Sequence, residues 1–121
     1  MTQGKRQWVV RLTASAETDF EGILRWTVEH FGEAQAQGYA DTLSTALQSL
    51  ADGPQAIGAT ARSYIAKGLY TLHVAHRGRK GRHFVMFRLA DEKDRNAIEV
   101  LRLLHDAMDL PRHFFRKDEP D

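Results

Sequence analysis

The sequence predicts an α+β domain in which an antiparallel helix hairpin packs on one face of a mostly antiparallel sheet. Three observations carry this. Apolar residues recur at helical spacing through two adjacent stretches, 14–32 and 33–52. Three later stretches read at strand spacing and are joined by short polar or Gly-containing turns. The last of them puts Ile98, Val100 and Leu104 on one parity and Leu101 and Leu103 on the other, as in an interior strand covered on both faces. The expected order is β-α-α-β-β-β with a short C-terminal helical segment.

Trp8-Val9-Val10-Arg11-Leu12 is the first strand, and Thr13 or Ser15 caps the helix after it. That first helix spans Ala14–Gly32. Its acids Glu17, Asp19 and Glu21 sit in the early turns, where the macrodipole favours them. Ala16, Phe20, Ile23, Leu24, Thr27 and Phe31 share its apolar face, and Gly32 ends it. Trp26 points off that face, either packing at the hairpin edge or standing out as an aromatic anchor. The second helix spans Glu33–Asp52, with Tyr39, Leu43, Leu47 and Leu50 inward, and Asp52-Gly53-Pro54 stops it. Gly38 inside it costs about 1 kcal/mol relative to Ala, which close approach to the first helix would explain.

Residues 55–68 read as irregular, with Arg62-Ser63-Tyr64-Ile65 able to extend. Leu69–His76 alternates, with Tyr70, Leu72 and Val74 on one face and Thr71 and His73 on the other. A basic turn leads to His83–Leu89, with Val85, Phe87 and Leu89 inward, and a charged turn over 91–96 leads to the last strand, 97–105. Phe20, Ile23, Leu43, Leu47, Val85, Phe87 and Val100 form the expected core. Residues 1–121 are one domain by size, with a core of about 8–115 and an expected disordered tail over 116–121.

Zero cysteines exclude disulfides, thiolate nucleophiles and Cys-based zinc sites. No 18-residue apolar run or N-terminal apolar h-region exists, so neither a membrane span nor a secretory signal is expected, and the location read is cytoplasmic. The net charge of +1 hides an asymmetry. Residues 1–61 carry 4 Lys/Arg against 7 Asp/Glu, and residues 62–121 carry 13 against 9. Between 62 and 90 there are seven basic residues and no acid. Such a stretch is either a solvated basic face or a surface for an anionic partner.

No phosphate loop, dinucleotide fingerprint or zinc-protease motif occurs, and no cofactor or metal is expected. His73 and His76, three apart in a strand, fall on opposite faces and do not share a metal. Arg102 and His105 read either as a snorkelling side chain and a strand-end residue or as parts of a basic site. Asp106 and Asp109 beside His105 read as a strand end and a helix cap rather than as a catalytic set. One chemistry stays possible, metal-free cleavage of a phosphodiester by Lys67, Arg77, Arg88, Arg102, His105 and Tyr70, if they converge.

Leu101-Arg102-Leu103-Leu104-His105-Asp106-Ala107-Met108-Asp109 resembles the closing strand of the RelE/ParE toxin superfamily, on its ParE side. Val10-Arg11-Leu12-Thr13, then Ala16, Asp19-Phe20, Ile23, Trp26, Phe31-Gly32, Ala36, Tyr39, Leu43, Leu47, Leu50 and Pro54, agree with it, so the resemblance covers roughly residues 8 to 110. It implies the fold derived above and a toxin of a bacterial type II toxin–antitoxin system. ParE-like members poison DNA gyrase and have no assigned catalytic residues. RelE-like members cleave mRNA in the ribosome, commonly with a tyrosine near the C-terminus. No tyrosine comes after His105 here, which favours the ParE-like reading. Gly68-Leu69-Tyr70, His83-Phe84 and Phe87 depart from the common family pattern of Gly-Leu-Arg, Tyr-Arg and Tyr.

The resemblance therefore implies a non-enzymatic gyrase inhibitor in a hetero-oligomer with a ParD-like antitoxin, without sequence-specific nucleic-acid binding of its own. The alternatives are a RelE-like mRNA endonuclease using His105, Arg102 and Lys67, and a non-toxic binding module. Trp26 with Arg79, Lys80 and Arg82 is the expected antitoxin surface. Met108, Arg112, Phe114 and Phe115 are the gyrase-binding candidates, in a segment that alternatively covers the second face of the sheet.

Overall fold

The computed structural model describes residues 8–53, 58–75, 79–92 and 95–108. Strand β1 (Val9–Leu12) leads into helix α1 (Ala14–Phe31) and helix α2 (Glu33–Ser49), and a single 3-10 turn, Leu50–Asp52, closes the hairpin. Strands β2 (Thr60–Ala61), β3 (Leu69–His73), β4 (His83–Glu92) and β5 (Arg95–His105) complete the chain order. They form one sheet in the order β1-β5-β4-β3-β2. Among the described strands only β1 against β5 is parallel, because the helix hairpin carries the chain from β1 across the sheet to β2 before the meander returns to β5. This is the expected α+β fold.

The hairpin forms where the sequence places it. Thr13 caps α1 by accepting the Ala16 N–H at 3.1 Å. Gly32, at φ 92°, makes the reversal between the helices, a conformation costly for any other residue. The main core lies between hairpin and sheet: Leu43, Val85, Phe87 and Val100 are buried in it, and Phe20, Ile23 and Leu47 pack against its edge. Phe31 departs from expectation, being 62% exposed. The last turn of α1, residues 28–31, has no buried residue, so the apolar stripe runs on past the core.

The two-sided strand is real, but its parities change partway along. The β4–β5 register shifts between Met86 and Phe87, which face Arg102 and Val100 respectively, leaving Leu101 as the extra residue of a bulge. Beyond it the faces exchange. Ile98, Val100 and Leu103 join the helix-side core, whereas Leu101 and Leu104 pack with Ile65, Leu69 and Met86 on the far face. Thus Leu103 and Leu104 sit opposite to the faces assigned by strict alternation. The start of α1 satisfies the backbone around the bulge. The Thr13 hydroxyl donates to the Leu101 carbonyl at 3.1 Å, and the Leu103 N–H donates to Asp19 Oδ2 at 2.9 Å.

Other corrections are local. Arg62 to Ile65 is not extended. Strand pairing ends at Ala61, and the Arg62 carbonyl accepts from the Ile65 and Ala66 N–H groups in a turn that buries Ile65 under the far face. The charged turn is tighter than expected, since pairing runs on to Glu92 and Arg95. Leu89 is exposed rather than inward, because β3 pairs with β4 only as far as Arg88. The C-terminal segment from Asp109 and the tail over 116–121 lie outside the described residues.

Candidate functional site

A groove of about 1500 Å³ opens between the helix hairpin and the end of the sheet. The outer part of α1 and the first half of α2 form one wall, and residues 79–83 with the end of β5 form the other. Trp26, Arg79, Lys80 and Arg82, far apart in sequence, all line it. Trp26 is 53% exposed. It does not pack into the hairpin edge but stacks on His30, ring centroids 4.1 Å apart, with Phe31 edge-on at 5.8 Å.

Glycines face this space for no internal reason. A Cβ on Gly22 or Gly38 would meet nothing within 4 Å, and both residues line the groove. Close approach of the two helices therefore does not account for Gly38. Gly81 differs: a Cβ there would lie 2.5 Å from Val74 Cγ2 and 2.9 Å from the Tyr39 hydroxyl. The chain must pass tightly over α2 at that point.

A hydrogen-bonded cluster pins residues 79–83 against α2 and β5. The Tyr39 hydroxyl accepts the Arg82 N–H at 3.0 Å and lies 2.7 Å from His83 Nδ1. Arg82 binds both Asp106 oxygens through Nε at 3.1 Å. His73 Nδ1 accepts the Ala75 N–H at 3.0 Å, so its proton is on Nε2 and is donated to Asp106 Oδ2 at 2.9 Å. Hydrogen bonds from Arg82 and then His73 hold the Asp106 carboxyl well below the usual carboxylate range. Burial, and next the neighbouring His105, push the His83 imidazole down to about 4. Burial raises the Tyr39 phenol, keeping it protonated. The His83 and His105 rings meet edge to face, centroids 5.3 Å apart.

Of the described residues read as an RNase set, Arg102 and His105 share the groove, and Lys67, Arg88 and Tyr70 do not line it. The Arg102 guanidinium is bound to Asp19 at 2.7 and 3.1 Å, and Arg88 pairs with Glu99 at 2.7 Å. Tyr70 stacks on Phe87 against the core. Lys67 lies in the turn before β3 and does not line the groove that Arg102 and His105 share. Arg77 lies outside the described residues, as do Arg112, Phe114 and Phe115; Met108 is exposed on the groove. Among the described residues no three His, Cys, Asp or Glu side chains are grouped to hold a metal, and no helix is long and apolar enough to cross a membrane.

Sequence reasoning misses Tyr39, His83, His73 and Asp106 as a unit. The apolar face of α2 marks Tyr39 as a core residue, and Asp106 reads as a strand end. The one signal in the sequence is the density of histidines around the basic turn.

The fold resembles three solved toxin structures. One is described as a chromosomal ParDE toxin–antitoxin system from P. aeruginosa, with TM-score 0.63 and 18% identity over 81% of this chain and 95% of that one. A YoeB/ParE toxin from Agrobacterium tumefaciens gives 0.53 and 12%, over 80% and 96%. The RelBE2 toxin–antitoxin complex from Mycobacterium tuberculosis gives 0.53 and 21%, over 85% and 95%. No curated protein matches the chain by sequence. The model of the ParE toxin of the type II toxin–antitoxin system parDE matches residues 10–110, and the chain therefore belongs to the ParE toxin family.

Proposed function

We propose that this ParE-type toxin inhibits DNA gyrase by binding it, and that a ParD-like antitoxin neutralises it through a segment seated in the groove. The observation that carries the antitoxin part is the placement of Trp26, Arg79, Lys80 and Arg82 on one surface. Gly22 and Gly38 would let a partner backbone come close, which gives these helical glycines a role the isolated chain does not. The basic rim suits an acidic partner segment. The neighbours described as toxin–antitoxin systems support an antitoxin as that partner.

For the target, family membership, the dispersal of Lys67, Arg88 and Tyr70 and the engagement of Arg102 by Asp19 favour binding over phosphodiester chemistry. One feature favours ribosome-dependent mRNA cleavage as a second reading, the meeting of His83, His105 and Tyr39 at the groove end. The test gives purified protein to gyrase with ATP and supercoiled plasmid, beside a programmed ribosome carrying labelled message. Cleaved gyrase–DNA complex should accumulate while the message stays intact. Message cleavage that is lost in His105→Ala would replace the gyrase reading. Silence in both assays would leave a binding module without toxicity.

A further inference from the structure

We propose that the sheet end of the groove is a carboxylate seat, in which an acidic side chain of the incoming segment is received beside the touching imidazoles of His83 and His105 with uptake of one proton. This rests on the groove being the antitoxin's seat and adds how that seat is read.

The acids near the two rings are already matched. Asp106, on the turn after β5, is held by Arg82 and His73. Asp19, on α1, is held by Arg102 and the Leu103 N–H. Arg79 bonds a neutral partner, the Thr42 hydroxyl on α2, at 3.0 Å. Lys80 is exposed on the rim and has no ion pair among the described residues. Asp106 Oδ1 also lies 3.7 Å from His105 Nδ1, but its two oxygens are taken by Arg82 and His73, so the groove end presents positive charge and imidazole with both nearby acids already engaged.

Both rings are oriented by their Nδ1 atoms. His105 Nδ1 accepts the Ala107 N–H at 3.1 Å, which places its hydrogen on Nε2. His83 Nδ1 faces the Tyr39 hydroxyl, whose oxygen already takes the Arg82 N–H. With His83 neutral, Tyr39 donates to it. When His83 takes a proton at Nδ1, the hydroxyl rotates, the same oxygen accepts from both N–H groups, and no heavy atom moves. His105, whose Nδ1 is occupied by a backbone donor, lacks this freedom. His83 is therefore the proton acceptor, and Nε2–H of each ring is the donor offered to the carboxylate. Without a further anion, burial and His105 outweigh the engaged carboxylates of Asp106 and Asp19 and keep His83 neutral at neutral pH. A carboxylate arriving beside the rings reverses that balance.

The test uses the full chain and a synthetic amphipathic helical peptide with Glu on its polar face, beside its Glu→Gln twin. Calorimetry between about pH 8 and pH 5, in buffers of different ionisation enthalpy, reads affinity and proton uptake together. The Glu peptide should bind more tightly as pH falls, by at most about tenfold per pH unit for one proton, and its heat should show the uptake. The Gln twin should show neither. His105→Gln should weaken the Glu peptide and leave the twin unchanged. His83→Gln should remove the pH dependence; Tyr39→Phe, which keeps the ring and loses the oxygen, should reduce the proton uptake and serves if His83→Gln fails to fold. Binding of the Glu peptide without proton uptake, or the same pH slope for both peptides, overturns the proposal. Trp26→Ala should weaken both peptides alike. If it does so while the slope stays flat, the carboxylate seat fails and the groove reading stands; if neither peptide binds, both fail.

Discussion

Asp19 reads in the sequence only as a helix-start acid, yet it joins α1 to the bulge of β5. Its carboxylate takes two bonds from Arg102 and one from the Leu103 N–H. With side chains only 16% and 21% exposed, the pair is partly shielded from water. Asp19→Asn keeps the shape and loses the charge, and should cost about 1.5–3 kcal/mol by denaturant titration, the range for a hydrogen bond to a charged group. Leu43→Ala, in the fully buried core, should cost about 2–5 kcal/mol in the same measurement. His83 sets a pH dependence whose sign is fixed. Its folded value is about 4 against roughly 6.5 when unfolded. Between the two the unfolded chain binds the proton and the folded one does not, so stability falls as pH drops from about 6.5 through about 4. Below the usual carboxylate value, about 3.9, the stability that Asp106 contributes is lost as well. His83→Gln should flatten the thermal midpoint across the upper window and leave the lower one unchanged.

Among the elements, the helices were legible because a 3.6-residue stripe, the Thr13 cap and the Gly32 stop agree on one answer. The bulge was not legible. A single extra residue leaves composition unchanged and inverts the faces only of the residues beyond it, so Leu103 and Leu104 cannot be placed without the partner strand's register. Phe31 shows the converse limit, since periodicity marks a face without saying where the core under it ends. The helical glycines give a prediction at this scale. Gly22→Ala and Gly38→Ala meet no atoms, so each should stabilise the free chain by about 0.5–1 kcal/mol through helix propensity. On the groove reading, the same changes should weaken antitoxin binding. A variant that gains stability and keeps full affinity would remove the glycines from that reading.

In the molecule as a whole, fold class, strand order of the meander and most of the core could be read from sequence, because local pattern and tertiary burial coincide there. The groove was readable only in part. Trp26 stands out as an apolar residue off the apolar face, and Arg79, Lys80 and Arg82 as an acid-free run, but their meeting is a product of topology. The cluster of Tyr39, His73, His83 and Asp106 joins positions 33 to 44 residues apart, and no local spacing encodes that. The central claim, that this groove receives the antitoxin, is tested most directly by the calorimetric affinity of the antitoxin for the wild-type chain and for Trp26→Ala. Trp26 is largely solvent-exposed, so the variant should fold normally. An aromatic anchor at an interface is worth about 2 kcal/mol or more, so affinity should fall by at least about tenfold. Unchanged affinity in a correctly folded variant would contradict the account.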